Sequence, residues 1–154
     1  MSVDKTGKTL TTKIIVDNVK ENKAKVLLAA PTGKAAKRLS CCGVEGMTIH
    51  RLLEFSPADG GFARKEDYPL ECDVLIVDEM SMVDSSLFYF LLLAVPAGAH
   101  LVLIGDADQL PSVGPGLVMR AMAESGTLPL TVLNRIFRQD EGSGIVRIAH
   151  GINH

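Results

Sequence analysis

Asp73-Val74-Leu75-Ile76-Val77-Asp78-Glu79-Met80-Ser81 decides the fold. Val74 to Val77 contains no polar residue, so it cannot alternate between a wet and a dry face. A short, unbroken aliphatic run of this kind predicts a strand buried on both sides of a parallel sheet. Two carboxylates, Asp78 and Glu79, follow at its carboxyl end. That edge is where open α/β sheets bind ligands. An acidic pair there suits magnesium, which takes oxygen ligands directly or through its waters and usually comes with phosphates. The second carboxylate then has the chemistry to orient an attacking water. The same two residues also fit a plain solvated strand end.

The chain has 154 residues, 47% hydrophobic and 5% aromatic, which allows one domain with an aliphatic core and excludes a disordered chain. Its formal net charge of −2 means that any nucleic-acid contact must come from a local basic cluster. Cys41, Cys42 and Cys72 have no CxxC spacing, so neither a disulfide framework nor a zinc site is expected. A reduced, cytoplasmic setting is the simpler inference. Neither a membrane span nor a signal peptide is expected.

Thr6-Gly7-Lys8-Thr9 precedes a helical pattern in which Thr12, Ile15, Val16 and Val19 share a face, ending near Glu21. Gly-Lys-Thr at a helix start is the back half of a P-loop. Backbone N–H groups and the helix dipole hold phosphate, lysine reaches its oxygens, and the threonine hydroxyl binds magnesium. The full pattern asks for glycine where Ser2 stands, and Asp4 would sit wrongly in a phosphate cradle. Lys25 to Ala30 reads as a strand, Pro31-Thr32-Gly33-Lys34 as a tight turn, and Ala35 to Cys42 as a helix. The turn offers hydroxyl, backbone N–H and ammonium groups to phosphate oxygens, with Lys37 and Arg38 adding charge. Thr48 is the expected N-cap of a helical turn containing His50, which also reads as a packing residue. Residues 57–69 read as a surface loop or small hairpin anchored by Phe62 and Tyr68. Asp84-Ser85 should cap a helix over Leu87 to Val95, apolar nearly all round and so deeply buried. His100 to Ile104 reads as another buried strand, followed by Gly105-Asp106-Ala107-Asp108-Gln109. Gln109 can bridge a phosphate and a water. A helix should run to about Ser125 with Gly126 as its stop, then a last strand over Leu130 to Leu133. Arg138 has the guanidinium geometry for a γ-phosphate, and Ser143 should cap a final helix.

In this order, TGKT, LLAAPTGKAAKRL, TIHRLL, DVLIVDEMSMVD, LIGDADQLPSVGPG and IFRQ resemble the superfamily-one DNA helicases of the RecD-like branch, including the exonuclease V alpha subunit. The resemblance covers nearly the whole chain. It implies a three-layer α/β/α RecA-like P-loop NTPase domain with a mainly parallel sheet, and ATP-dependent 5′-to-3′ unwinding in DNA recombination and repair. ATP and Mg²⁺ are the implied cofactors. Thr6, Gly7, Lys8 and Thr9 are similar to the phosphate-binding turn, Thr9 and Asp78 to the magnesium ligands, and Glu79 to the catalytic base. Gln109 resembles the γ-phosphate sensor and Arg138 the arginine that touches the γ-phosphate. Pro31, Thr32, Gly33, Lys34, Thr48 and His50 look like contacts to single-stranded DNA, which position a strand without reading its sequence. Other subunits of a recombination nuclease complex are further implied partners.

Two departures from the family set further expectations. The strand that feeds the P-loop, which lies mid-sheet in this family, and a second motor domain are both missing from the sequence. The chain is therefore expected to be a first motor domain, cut inside the P-loop and not a competent motor by itself. Alternatives are a fragment that binds nucleotide or single strands without hydrolysis, and the helicase portion of a conjugative relaxase. Strands are expected near 25–30, 73–77, 100–104 and 130–133, with one edge left open or filled by another chain or segment. Self-association through that gap is a hypothesis.

Overall fold

The structure, a computed structural model, describes residues 7–106 and 117–133. The elements run α1 (Lys8–Glu21), β1 (Val26–Ala30), α2 (Gly33–Leu39), β2 (Gly46–Thr48), α3 (Ile49–Leu52), β3 (Phe55–Ser56), β4 (Gly61–Phe62), β5 (Val74–Val77), a 3₁₀ turn at Met80–Met82, α4 (Ser85–Ala94), β6 (His100–Leu103) and α5 (Val118–Ser125). The main sheet has the order β2-β1-β5-β6, and every pairing in it is parallel. β3 and β4 form a separate antiparallel hairpin.

The deciding run behaves as its composition requires. Leu75, Ile76 and Val77 are completely buried, and their side chains divide between two cores. Leu75 and Val77 join Ala29, Leu53, Met80, Val83 and Leu91 on one face of the sheet, against α3 and α4. Val74 and Ile76 join Val16, Leu28, Ala30 and Leu39 on the other, against α1 and α2. This alternation is the period of two of a pleated strand, buried here on both faces. The result is the expected three-layer α/β/α arrangement.

Several expectations need correction. The fourth paired strand is β2, not residues 130–133, which form no strand. Leu130 and Val132 are exposed there, so the run has the composition of a strand without a neighbour to pair with. With β2 supplying the fourth strand, the sheet is continuous and has no internal gap among the described residues. Its outer strands are β2 and β6, each with a single paired neighbour among the described residues. As an outer strand β6 is half-buried, not the fully buried strand expected. The helix predicted over 35–42 starts earlier, at Gly33, and stops at Leu39. Ser40 leaves helical geometry there, and a turn closed by Cys41 and Val44 follows. α4 is not deeply buried: only Leu91 and Ala94 are, while Tyr89, Phe90 and Leu92 face outward. A helix lying on a sheet hides one stripe, and no further layer covers its back among the described residues.

Candidate active site

In a parallel sheet all carboxyl ends share one edge, and the register fixes what meets there. Ala30 pairs with Thr48, Ala29 with Val77, and Val77 with Leu103. The ladder continues through the Asp78 N–H, which donates to Ala29 O at 2.9 Å, and the Ile104 N–H, which donates to Val77 O at 2.8 Å. The turns after β2, β1, β5 and β6 therefore stand side by side, at about 5 Å per strand.

Gly7 caps α1 in the left-handed conformation (φ 79°), and the first turn of the helix holds neither an acidic residue nor a side-chain cap. Its N–H groups thus have no competing carboxylate within the helix. Lys8 Nζ lies 3.9 Å from Asp106 Oδ2, just past β6. Lys8 also acts electrostatically on Asp78, so the Gly-Lys-Thr turn and the acidic pair occupy one neighbourhood. Thr9 is exposed in the first turn of α1.

Asp78 is held above the ordinary carboxylate range, first by burial and then by the negative charge of Glu79. The N–H of Glu79, which donates to Asp78 Oδ1 at 2.8 Å, and the charges of Lys8 and Arg38 oppose this. A half-desolvated carboxylate beside a second acid is a good place for a cation, which would relieve both penalties. The Ser81 hydroxyl nearby is buried and has no hydrogen-bond partner among the described residues. A helix start without a side-chain cap, a lysine and partly buried acid oxygens match what a magnesium-nucleotide needs.

Glu79 itself sits at φ 57°, a left-handed conformation unusual for a residue with a side chain. Its neighbours are pinned, Asp78 to Ala29 as above and Met80 through an N–H that donates to Ile104 O at 2.9 Å. Its carboxylate accepts a hydrogen bond from Arg38 Nη2 at 2.8 Å. Sequence alone gives Arg38 only as local positive charge and assigns Asp106 no role, although its place at the end of a parallel strand beside the acidic one points to this edge.

Pro31, Thr32, Gly33 and Lys34 follow β1, while Thr48 ends β2 and His50 lies just past it, so the register sets the two candidate strand-contacting segments next to each other. Both are built on hydroxyl caps: Thr32 Oγ1 accepts from the Ala35 N–H at 3.2 Å and Thr48 Oγ1 from the Arg51 N–H at 3.1 Å. Gly33, Lys34 and His50 are exposed. The His50 ring lies 5.6 Å from those of both Phe55 and Phe62, so it also packs on the hairpin. Thr6, Gln109 and Arg138, and the helix expected after Ser143, lie outside the described residues.

Residues 5–115 match the family described as AAA domain. The chain is 43% identical over 150 residues to the ATP-dependent RecD2 DNA helicase of Deinococcus radiodurans, covering 97% of this chain and 20% of that protein. It is 36% identical over 143 residues to the RecBCD enzyme subunit RecD of Mycobacterium tuberculosis, covering 77% of this chain and 25% of the relative. The ATP-dependent DNA helicase dda of Enterobacteria phage T4 is 41% identical over 118 residues, covering 72% and 27%. The chain thus spans 20–27% of the length of these relatives. Among solved structures, Bacteroides Pif1 helicase in complex with ADP-AlF3 and single-stranded DNA superposes with a TM-score of 0.63 at 22% identity. That match covers 96% of this chain and 40% of the other, and it shows the fold. No described helix is long and apolar enough to cross a membrane. With this match over residues 5–115 and these relatives, the chain belongs to the AAA domain family and is a relative of the RecD-like DNA helicases.

Proposed function

We propose that these residues form part of the first RecA-like motor domain of an ATP-dependent 5′-to-3′ DNA helicase of recombination and repair, working in the cytoplasm within a longer protein. The observation that carries this is the meeting of Lys8 with Asp106, and of its charge with Asp78, at the carboxyl edge of the sheet. Gly7, Lys8 and Thr9, with Thr6, would hold the phosphates of ATP, and Thr9 and Asp78 would hold magnesium. The ion, when bound, offsets phosphate charge. Glu79 accepts a proton from water, whose oxygen attacks the γ-phosphorus as the bond to ADP breaks; the proton then leaves to solvent. Gln109 and Arg138 are assigned to the γ-phosphate. Pro31, Thr32, Gly33, Lys34, Thr48 and His50 are assigned to the backbone of single-stranded DNA, a sequence-independent contact.

Hydrolysis that drives stepping needs two lobes closing on nucleotide, so the 154 residues alone are expected to bind weakly and turn nothing over. Subunits of a recombination nuclease complex are the proposed partners, and the outer edge of β6 is where a second copy would add. The test is ATP turnover by the full-length polypeptide. Stimulation by single-stranded DNA, abolished in Glu79→Gln, is expected. Stimulation by duplex but not by single strands would count against the assignment.

A further inference from the structure

We propose that Arg38 is a latch on Glu79, holding the carboxylate closed until a strand binds; this rests on the reading of Glu79 as the base. The Arg38–Glu79 bond occupies Oε1, an oxygen that would otherwise accept the proton of water. A carboxylate already accepting a charge-assisted bond from a guanidinium is a poorer acceptor for water. The Glu79 side chain is the more enclosed of the two, 16% exposed against 43% for Arg38. The pair is therefore tight enough to hold the acid and open enough on the arginine side to be released.

The latch belongs to the element that carries the strand-contacting turn. Arg38 lies in the last turn of α2, whose N-cap is Thr32. Arg38 is five positions on from Gly33 in the helix, a rise of about 8 Å. α2 is also fastened to β2 at backbone range: a Cβ on Gly46 would lie 2.2 Å from Ala36 O. β2 ends in Thr48 and runs directly into α3, which carries His50. Both candidate DNA segments thus ride on one α2–β2 unit, and Arg38 reaches from that unit to the catalytic acid. A strand that draws this unit toward itself pulls the guanidinium off Glu79, coupling DNA occupancy to hydrolysis.

The experiment measures ATP turnover by the full-length polypeptide, with and without saturating single-stranded DNA, for wild type, Arg38→Ala, Arg38→Gln and Glu79→Gln. Loss of a partly exposed ion pair should raise the DNA-free kcat about two- to fivefold, leaving the KM for ATP and the DNA-saturated kcat unchanged. The stimulation ratio then falls by the same factor. Arg38→Gln keeps the stem and drops the charge, so it gives the same reading if truncation to alanine unsettles α2. A fall in kcat under both conditions would make Arg38 a support and not a latch, overturning the proposal. An unchanged DNA-free rate in both arginine variants would overturn it as well. Retained turnover in Glu79→Gln would instead defeat the assignment of the base, whatever the arginine variants do.

Discussion

Gly46→Ala is a sensitive probe of the α2–β2 contact. The backbone of Gly46 is not in the left-handed region, so alanine meets no conformational objection there. The objection is space: the added methyl would stand 2.2 Å from Ala36 O, 3.1 Å from Ala36 C and 3.2 Å from Leu39 Cβ. The first of these atoms is backbone and cannot rotate aside, so α2 as a whole must lift. Ala35, Ala36 and Leu39 are all buried beneath it, and lifting loosens each of them. Overpacking of this kind costs about 1–3 kcal/mol, here at the upper end, while the stiffer unfolded chain returns about 0.4–1 kcal/mol. The net is a loss of about 2 kcal/mol, or about 4–8 °C in melting temperature for a chain of this size. Urea and thermal unfolding followed by circular dichroism would measure it, with Gly61→Ala as the control. A Cβ on Gly61 meets nothing within 4 Å, so that variant should stay within about 0.5 kcal/mol of wild type. If Gly46→Ala melted together with Gly61→Ala, the close approach of α2 to β2 would be wrong.

Three further outcomes are expected. Burial holds the Asp78 carboxyl above its ordinary range, so the native state keeps that proton to higher pH than the unfolded chain does. Its contribution to stability is lost as pH rises from the ordinary carboxylate value through the raised one. Asp78→Asn should therefore raise the melting temperature of the ligand-free protein at neutral pH while removing magnesium-dependent nucleotide binding; a lower neutral melting temperature would contradict this. A hydrogen bond to Asp17 is the main cause pushing the Cys42 thiol up to about 11. In a Cys41→Ser background, Asp17→Asn should speed iodoacetamide labelling of Cys42 near pH 8 by up to about 100-fold, and equal rates would argue against the contact. Thr48→Ala removes the acceptor for the Arg51 N–H and should cost about 1 kcal/mol in urea unfolding, with Thr48→Ser close to wild type.

What could be read from the sequence was whatever has a local cause. The unbroken apolar run at 74–77 required two covered faces and received them. Thr48 and Asp84 announced their helix starts through short polar side chains, and each accepts the expected N–H bond. Gly126 announced the end of α5 and takes φ 65° there. β2 was missed because Gly46-Met47-Thr48 has neither length nor pattern, and pairing with Leu28, Ala29 and Ala30 is what makes it a strand. Leu130 to Leu133 failed in the opposite sense, having the pattern without the neighbour. α4 looked buried because its composition is apolar all round, yet composition cannot say how many layers will cover a helix. At the site, the acids and the Gly-Lys-Thr turn were legible as chemistry. The bond from Arg38 to Glu79 spans 41 positions in sequence and had no local signal.

The carboxyl edge gathers features that do not favour stability. Among the described residues, four other than glycine have positive φ: Lys23, Cys42, Glu54 and Glu79. Lys23 follows the C-cap of α1, Glu54 follows that of α3, and Cys42 lies in the turn closed by Cys41 and Val44. Those three have ordinary reasons, since helix ends and tight turns commonly need one left-handed residue. Glu79 terminates no helix. It directly follows the Val77-Asp78 end of the central strand, where such a conformation costs about 1–2 kcal/mol. Beside it stand a carboxylate disfavoured by burial, a buried hydroxyl without a partner among the described residues, and Gly105, where a Cβ would lie 2.4 Å from Met119 Sδ. Beneath them Leu28, Ala29, Leu75, Ile76 and Val77 are completely buried, so the strands hold this edge firmly enough to sustain its strain. Strain of this kind persists only where the surroundings over-determine it, and it clusters at working sites. The backbone thus singles out Glu79 independently of any motif, and it does so at an acid that accepts a hydrogen bond from Arg38 of α2.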